Sequence, residues 1–194
     1  MEIGRLESDA MDSILTDMLL HSTNLTAEVV GLAASVARGL PAATPAESAA
    51  AMNDWIAETT GARVSLVDHS GLGGESRVAA QEMTRALASR GTMDRLRPIL
   101  KNIVLTDQGG NELGRPPGVV RAKTGTLNFA TSLAGYVETL HGGALAFAYF
   151  SADVEARREV ADDDDEVPAG SREFLARSRR LQQVLLQRWG RLSA

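Results

Sequence analysis

Apolar residues recur along this chain with a helical period at its two ends and a strand period between them. Met11, Ile14, Leu15, Met18 and Leu19 fall at i, i+3, i+4, i+7 and i+8, one face of a helix that opens near Ser8 or Asp9. Leu25, Val29, Leu32 and Val36 continue as a second helix that stops at Gly39, with Pro41 beyond it. Thr44-Pro45-Ala46-Glu47 reads as a capping box with proline at the first helical position, starting a third helix that buries Met52, Trp55 and Ile56 and ends at Gly61. Val64 and Leu66 alternate with polar neighbours as a short strand, the glycine-rich segment Gly71 to Gly74 follows, and a helix covers about Arg77 to Ser89. From there to Gly118 the pattern is irregular, punctuated by Pro98, Gly109, Gly110, Gly114, Pro116 and Pro117. Three strands then read out as Val119 to Leu127, Thr131 to Leu140 and Ala144 to Ser151, the last two joined as a hairpin through His141-Gly142-Gly143. Phe174, Leu181, Val184 and Leu185 line a C-terminal helix starting near Ser171. The fold class expected is α/β, with antiparallel strands flanked by helices.

The 194 residues amount to one domain, and 44% hydrophobic content is enough for a core. There are no cysteines, which excludes disulfides and thiolate metal sites. No apolar stretch is long enough to span a bilayer, and Met1-Glu2-Ile3-Gly4-Arg5 lacks the basic-then-apolar layout of a signal peptide. The net charge of −5 gives no reason to expect nucleic acid as a partner. Asp162 to Glu166 hold five of the 25 acidic residues; the run lacks the glycine and terminal glutamate of a calcium-binding loop and reads as a solvated connection. His21, His69 and His141 are too scattered for a zinc site, so no metal or organic cofactor is expected. Arg177, Arg179, Arg180, Arg188 and Arg191 give the last helix a basic, water-facing side.

Candidate chemistry concentrates in two short motifs. Lys123-Thr124-Gly125 lies in a β-branched run, and the only other lysine of the chain is Lys101. Ser22-Thr23-Asn24 falls in the turn between the first two helices and continues into Leu25-Thr26-Ala27-Glu28. Ser-x-Asn and Lys-Thr-Gly, in that chain order, are two of the three motifs that build the active site of penicillin-binding proteins and serine β-lactamases. The third, Ser-x-x-Lys, is absent, because Pro98 and Val120 stand three residues before the two lysines. Asp68-His69-Ser70-Gly71-Leu72 adds a further similarity, to an Asp-Gly-Ser-Gly-Leu-Ser loop, with His69 in place of Gly and Gly73 in place of Ser. Together these surroundings resemble the D-alanyl-D-alanine carboxypeptidase/endopeptidase family of low-molecular-mass penicillin-binding proteins over nearly the whole chain.

The resemblance implies a β-lactamase/transpeptidase-like fold, of which residues 1–194 form the C-terminal part, and a periplasmic location. It implies a parent enzyme that is a serine-type peptidase acting on peptidoglycan stem peptides and inhibited by β-lactams. Lys123 then supplies a fixed positive charge beside the Ser22 hydroxyl, Ser22 relays a proton to the leaving D-alanine, and Asn24 orients a substrate carbonyl. Thr124 and Thr126 help hold a terminal carboxylate, Gly125 permits a close approach to the backbone, and a strand N–H contributes to the oxyanion hole. Against these stand plainer readings: Lys123 as a solvated surface lysine, Asn24 as an N-cap, and Ser70 as part of a tight structural turn. Without a serine nucleophile the chain by itself should form no acyl-enzyme. The alternative is a non-catalytic module that binds peptidoglycan peptides or a partner protein. A sheet lacking the strands that the family's N-terminal part contributes leaves a long free edge, so a homodimer through that edge is expected.

Overall fold

The computed structural model describes residues 4–5, 7–40, 44–160 and 167–193, so Pro41 and the acidic run Asp162 to Glu166 lie outside the described residues. The chain divides into two compact units, residues 1–55 with 65–77 and residues 56–64 with 78–194.

The first unit holds α1 (Met11–His21), α2 (Asn24–Ala37) and the start of α3 (Pro45–Thr60). Helix α1 opens at Ala10, one residue after Asp9 and two after Ser8, and without a side-chain cap. The capping box of α3 forms as read: the Thr44 N–H donates to Glu47 Oε2 at 3.0 Å and the Glu47 N–H to Thr44 Oγ1 at 3.2 Å. Two expectations about burial fail. On α2, Leu25, Val29 and Val36 are 78%, 56% and 67% exposed. The inward positions are Glu28, Gly31 and Ser35, whose partners come from α3 and the segment 68–70. On α3 the buried residues are Ser48 and Ala49, while Trp55 stays exposed with the Arg38 guanidinium 5.8 Å from its ring centroid. The short strand at Val64 and Leu66 reduces to a single antiparallel bridge, Ser65 with Arg77.

The second unit is a four-stranded antiparallel sheet in the order β1-β2-β3-β4, comprising Lys101–Ile103, Gly118–Leu127, Ala130–Thr139 and Ala144–Ala152. The region read as irregular after α4 (Ala80–Ala88) in fact holds α5 (Arg90–Leu96), a 3-10 turn at Arg97–Ile99, and β1. Strand partners share a face, so Val120, Ala122, Leu133, Val137 and Phe147 all turn toward α7 (Ser171–Trp189) and form one core with Leu105 and Leu186. Helix α7 is held in rotation by polar bonds: Gln182 Nε2 donates to Thr131 Oγ1 at 3.0 Å, and Ser178 pairs with the Tyr149 hydroxyl at 2.9 Å. Its buried positions are therefore Ser171, Ser178, Gln182 and Leu186, and not the expected Leu181 and Val184. Trp189 packs on Phe147 with centroids 5.4 Å apart. On the sheet's other face Tyr136 is fully buried and its hydroxyl donates to the Leu87 carbonyl of α4 at 2.9 Å. Gly135 lets the two central strands close, since a Cβ there would strike the Arg121 carbonyl oxygen and Ala122 Cα.

Candidate active site

In the first unit, α1 ends at Ser22, which caps it in the left-handed conformation with φ 56° and ψ 47°. For a serine that geometry costs about 1 kcal/mol, and it turns the chain sharply into α2. Thr23 takes the N-cap position of α2, without a side-chain cap bond, so Asn24 is the first helical residue and not a cap. Both Ser22 and Asn24 are exposed.

One turn along the same face of α2, Glu28 Oε1 accepts the backbone N–H groups of His69 and Ser70 at 3.1 and 2.9 Å. Glu28 Oε2 is buried and has no hydrogen-bond partner among the described residues. The segment it grips is a tight turn, as read for Ser70: Asp68 accepts the Gly71 N–H at 2.9 Å, the Gly73 N–H and the Ser70 hydroxyl. His69 adds a second attachment. Its Nε2 lies 2.8 Å from Ser48 Oγ, which is itself 2.6 Å from Ser35 Oγ and 3.2 Å from the Gly31 carbonyl. If Nε2 carries the proton, Ser48 is left free to donate to Gly31, and both contacts are satisfied together.

In the second unit, Lys123 to Thr126 sit in β2. Lys123 and Gly125 share the α4 face with their partners Ala134 and Ser132; Thr124 and Thr126 share the α7 face with Leu133 and Thr131. Strand β1 covers β2 only from Val120 to Ala122. From Lys123 to Leu127 the strand is thus paired on one side alone among the described strands, and a ligand lying along that edge meets the ammonium from one face and the threonine hydroxyls from the other. The Lys123 ammonium donates to the Thr124 carbonyl at 2.7 Å. Partial burial holds its pKa below the ordinary lysine value, and the positive charge of Lys101 lowers it further. At Gly125 the space of a side chain is taken by the Ser132 hydroxyl. Among the described residues no cluster of three or more His, Asp or Glu side chains could hold a metal ion.

A family model described as D-Ala-D-Ala carboxypeptidase 3 (S13) matches residues 2–169. The chain belongs to that family. Among curated proteins it is 29% identical over 165 residues to Carboxypeptidase Rv3627c of Mycobacterium tuberculosis and 30% identical over 164 residues to Carboxypeptidase DacB of Mycolicibacterium smegmatis. Each match takes in 77% of this chain and 35% of the relative, so the chain spans about a third of the length of these relatives. Among solved structures, penicillin binding protein 4 of Haemophilus influenzae in complex with a β-lactam aligns with 90% of this chain and 41% of its own, at a TM-score of 0.60 and 22% identity. A predatory endopeptidase of Bdellovibrio bacteriovorus aligns with 95% of this chain and 45% of its own, at a TM-score of 0.57 and 19% identity. The S13 fold is therefore present here, with its antiparallel sheet and flanking helices.

Three residues of this S13 chain went without a role in the sequence reading. Glu28 closes the stretch Asn24 to Glu28, and its i+4 spacing from Asn24 was the available signal. His69 stands where the family loop has glycine. Lys101, the only other lysine, proves to be a charge that lowers the Lys123 pKa.

Proposed function

We propose that this chain carries the Ser-x-Asn and Lys-Thr-Gly parts of a serine-type D-Ala-D-Ala carboxypeptidase/endopeptidase that acts on peptidoglycan stem peptides outside the cytoplasm. The observation that supports it best is the edge of β2 from Lys123 to Leu127, open for a peptide to add as a strand beside a partly desolvated ammonium. Lys123 and the Thr124 and Thr126 hydroxyls attract the terminal carboxylate of the stem peptide, and an N–H of the strand receives the charge that develops on the scissile carbonyl oxygen. Ser22, held in its strained turn, passes a proton to the leaving D-alanine, and Asn24 orients the substrate. No Ser-x-x-Lys occurs in the 194 residues, so the chain alone binds such peptides and β-lactams without forming an acyl-enzyme.

The test is an intact-mass spectrum after incubation with benzylpenicillin, together with amide NMR shifts on adding N-acetyl-D-Ala-D-Ala. Unchanged mass with shifts along Lys123 to Leu127 is the expected result. A stable adduct on Ser22 or Ser70 would overturn the half-site reading, and shifts elsewhere would remove the β2 edge from it. The same reading brings two copies together through β4, whose nine residues pair on one side only among the described strands and carry no charge, glycine or proline to discourage addition. Sedimentation showing a monomer across a wide concentration range would refute that part.

A further inference from the structure

Strand β1 runs antiparallel to β2 and begins with Lys101 opposite Ala122. The chain reaches that point out of the 3-10 turn Arg97–Ile99, which has Pro98 near its start, and Leu100, only 7% exposed, anchors it where it joins the sheet. The open edge of β2, Lys123 to Leu127, starts immediately beside Lys101. Strand partners share a face, so Lys101 lies with Ala122 on the α7 face, while Lys123 lies on the α4 face. This end of the edge therefore carries a cation on each face. Lys101 is exposed, and among the described residues no carboxylate lies within 4.0 Å of its ammonium. The repulsion between the two lysines is felt at Lys123, whose pKa Lys101 helps to lower. At the other end of the edge stands Arg157, its guanidinium donating to the Asn128 carbonyl at 2.7 Å.

We infer, on the reading of the β2 edge proposed above, that Lys101 is a specificity-determining residue: it selects a peptide that lies in the line of β1, antiparallel to β2, and ends in a free α-carboxylate. A peptide laid along the edge can run either way. In the line of β1 its C-terminus arrives at Lys101, and parallel to β2 its N-terminus does. Two ammonium groups at one point attract a carboxylate end, repel a free amine, and give a neutral amide end little advantage. The main chain cannot continue in the sheet past that point, because the positions opposite Ala122, Arg121 and Val120 belong to Lys101, Asn102 and Ile103. A bound peptide is thus measured from its C-terminus, whatever length of stem precedes it, and the bond to be cut falls at a fixed place along the strand.

The experiment follows amide NMR shifts of the isotope-labelled 194-residue chain. The ligands are N-acetyl-D-Ala-D-Ala, its C-terminal amide, and D-Ala-D-Ala carrying a nitroxide at its N-terminus. The free acid should bind more tightly than the amide, and rising salt should narrow the difference. Lys101→Gln should weaken binding of the acid about threefold, the effect of one partly screened charge pair, and leave the amide unchanged. Lys101→Arg should restore the acid. The nitroxide should broaden the amides of Leu127 and Asn128 more than those of Lys101 and Asn102. Lys101 is exposed, so the ligand-free spectra of both variants should overlay that of the wild type away from β1. Equal affinity for acid and amide, no loss in Lys101→Gln, or stronger broadening at Lys101 than at Leu127 would overturn the inference while leaving peptide binding at the edge intact. No shifts along Lys123 to Leu127 with any of the three ligands would overturn the peptidase reading of the edge, and this inference with it.

Discussion

Gly31→Ala tests how α2 is joined to the segment that carries His69. Position 31 lies in the interior of a 14-residue helix, where replacing glycine by alanine favours the helix by about 1 kcal/mol. A Cβ at 31 would, however, occupy the space of the His69 ring. The obstacle is a side chain, so it yields by rotating, and the cost is bounded by what rotation forfeits. Strain and lost packing amount to about 1–3 kcal/mol, and the Ser48–His69 hydrogen bond to about 1 kcal/mol more. Gly31→Ala should therefore destabilise the wild type by about 1–3 kcal/mol.

In a His69→Ala background the ring is gone and only the helix propensity remains, so the same substitution should stabilise by about 1 kcal/mol. The sign reverses, and the coupling between the two positions is about 2–4 kcal/mol. Urea unfolding of the four proteins, with helix content as the probe and a common m-value as the check on two-state behaviour, measures it. Equal stabilisation by Gly31→Ala in both backgrounds would show that the ring does not lie over Gly31, and the account of why this chain has His69 in the loop would fall.

Other expectations concern the second unit and the start of α3. Burial pushes the Tyr136 hydroxyl up to about 12, with Arg97 pulling the other way. The unfolded chain loses that proton near pH 10, so the contribution is intact below about 10 and is lost as pH rises toward about 12, about 2–3 kcal/mol in all. Tyr136→Phe should remove that part of the alkaline instability in thermal melts, and an unchanged alkaline limb would refute the assignment. Lys101→Ala should move the Lys123 pKa up, but still short of an ordinary lysine because burial is the larger cause; an NMR titration that shows no rise would count against it. Gly135→Ala drives a methyl into the β2 backbone, which cannot rotate away, and should cost about 3 kcal/mol, whereas Gly125→Ala meets only the Ser132 hydroxyl and should cost under about 1 kcal/mol. Comparable midpoints for these two in urea would contradict the contrast. Thr44→Ala should cost about 1 kcal/mol through the lost cap of α3, read by the same unfolding curves.

What the sequence displayed was governed by distance along the chain. The capping box at Thr44 to Glu47 is a matter of three residues, and it formed as read. The three long strands announced themselves through β-branched alternation and the glycine turn at 142. Strand β1 did not, because three residues give no period and its partners, Val120 to Ala122, lie far downstream. Helix α2 shows the same limit in another form. Its apolar spacing located the helix but pointed to the wrong face, since Glu28, Gly31 and Ser35 are turned inward by partners at positions 48, 69 and 70. On α7 Leu181 and Val184 misled for a like reason: polar bonds from Ser178 and Gln182 to the sheet decide which way the helix turns. The two motifs were legible as strings. That β1 stops at Ala122 and leaves the Lys-Thr-Gly edge open was not, because it depends on where another strand ends.

The choice of basic residue follows from the same geometry. Eighteen of the 20 basic residues are arginine, and the two lysines stand at one place, Lys101 opposite Ala122 and Lys123 beside it on β2. Arginine keeps its charge in any surroundings and spreads it over a wide planar fork, which suits the water-facing side of α7. An ammonium is compact and responds to its environment, so partial burial and a neighbouring cation together loosen its proton. At the β2 edge a carboxylate bound beside Lys123, as proposed above, would restore the stability of the charged form that burial and Lys101 have reduced. Lys101, by adding to that deficit, adds to what a neighbouring anion would restore.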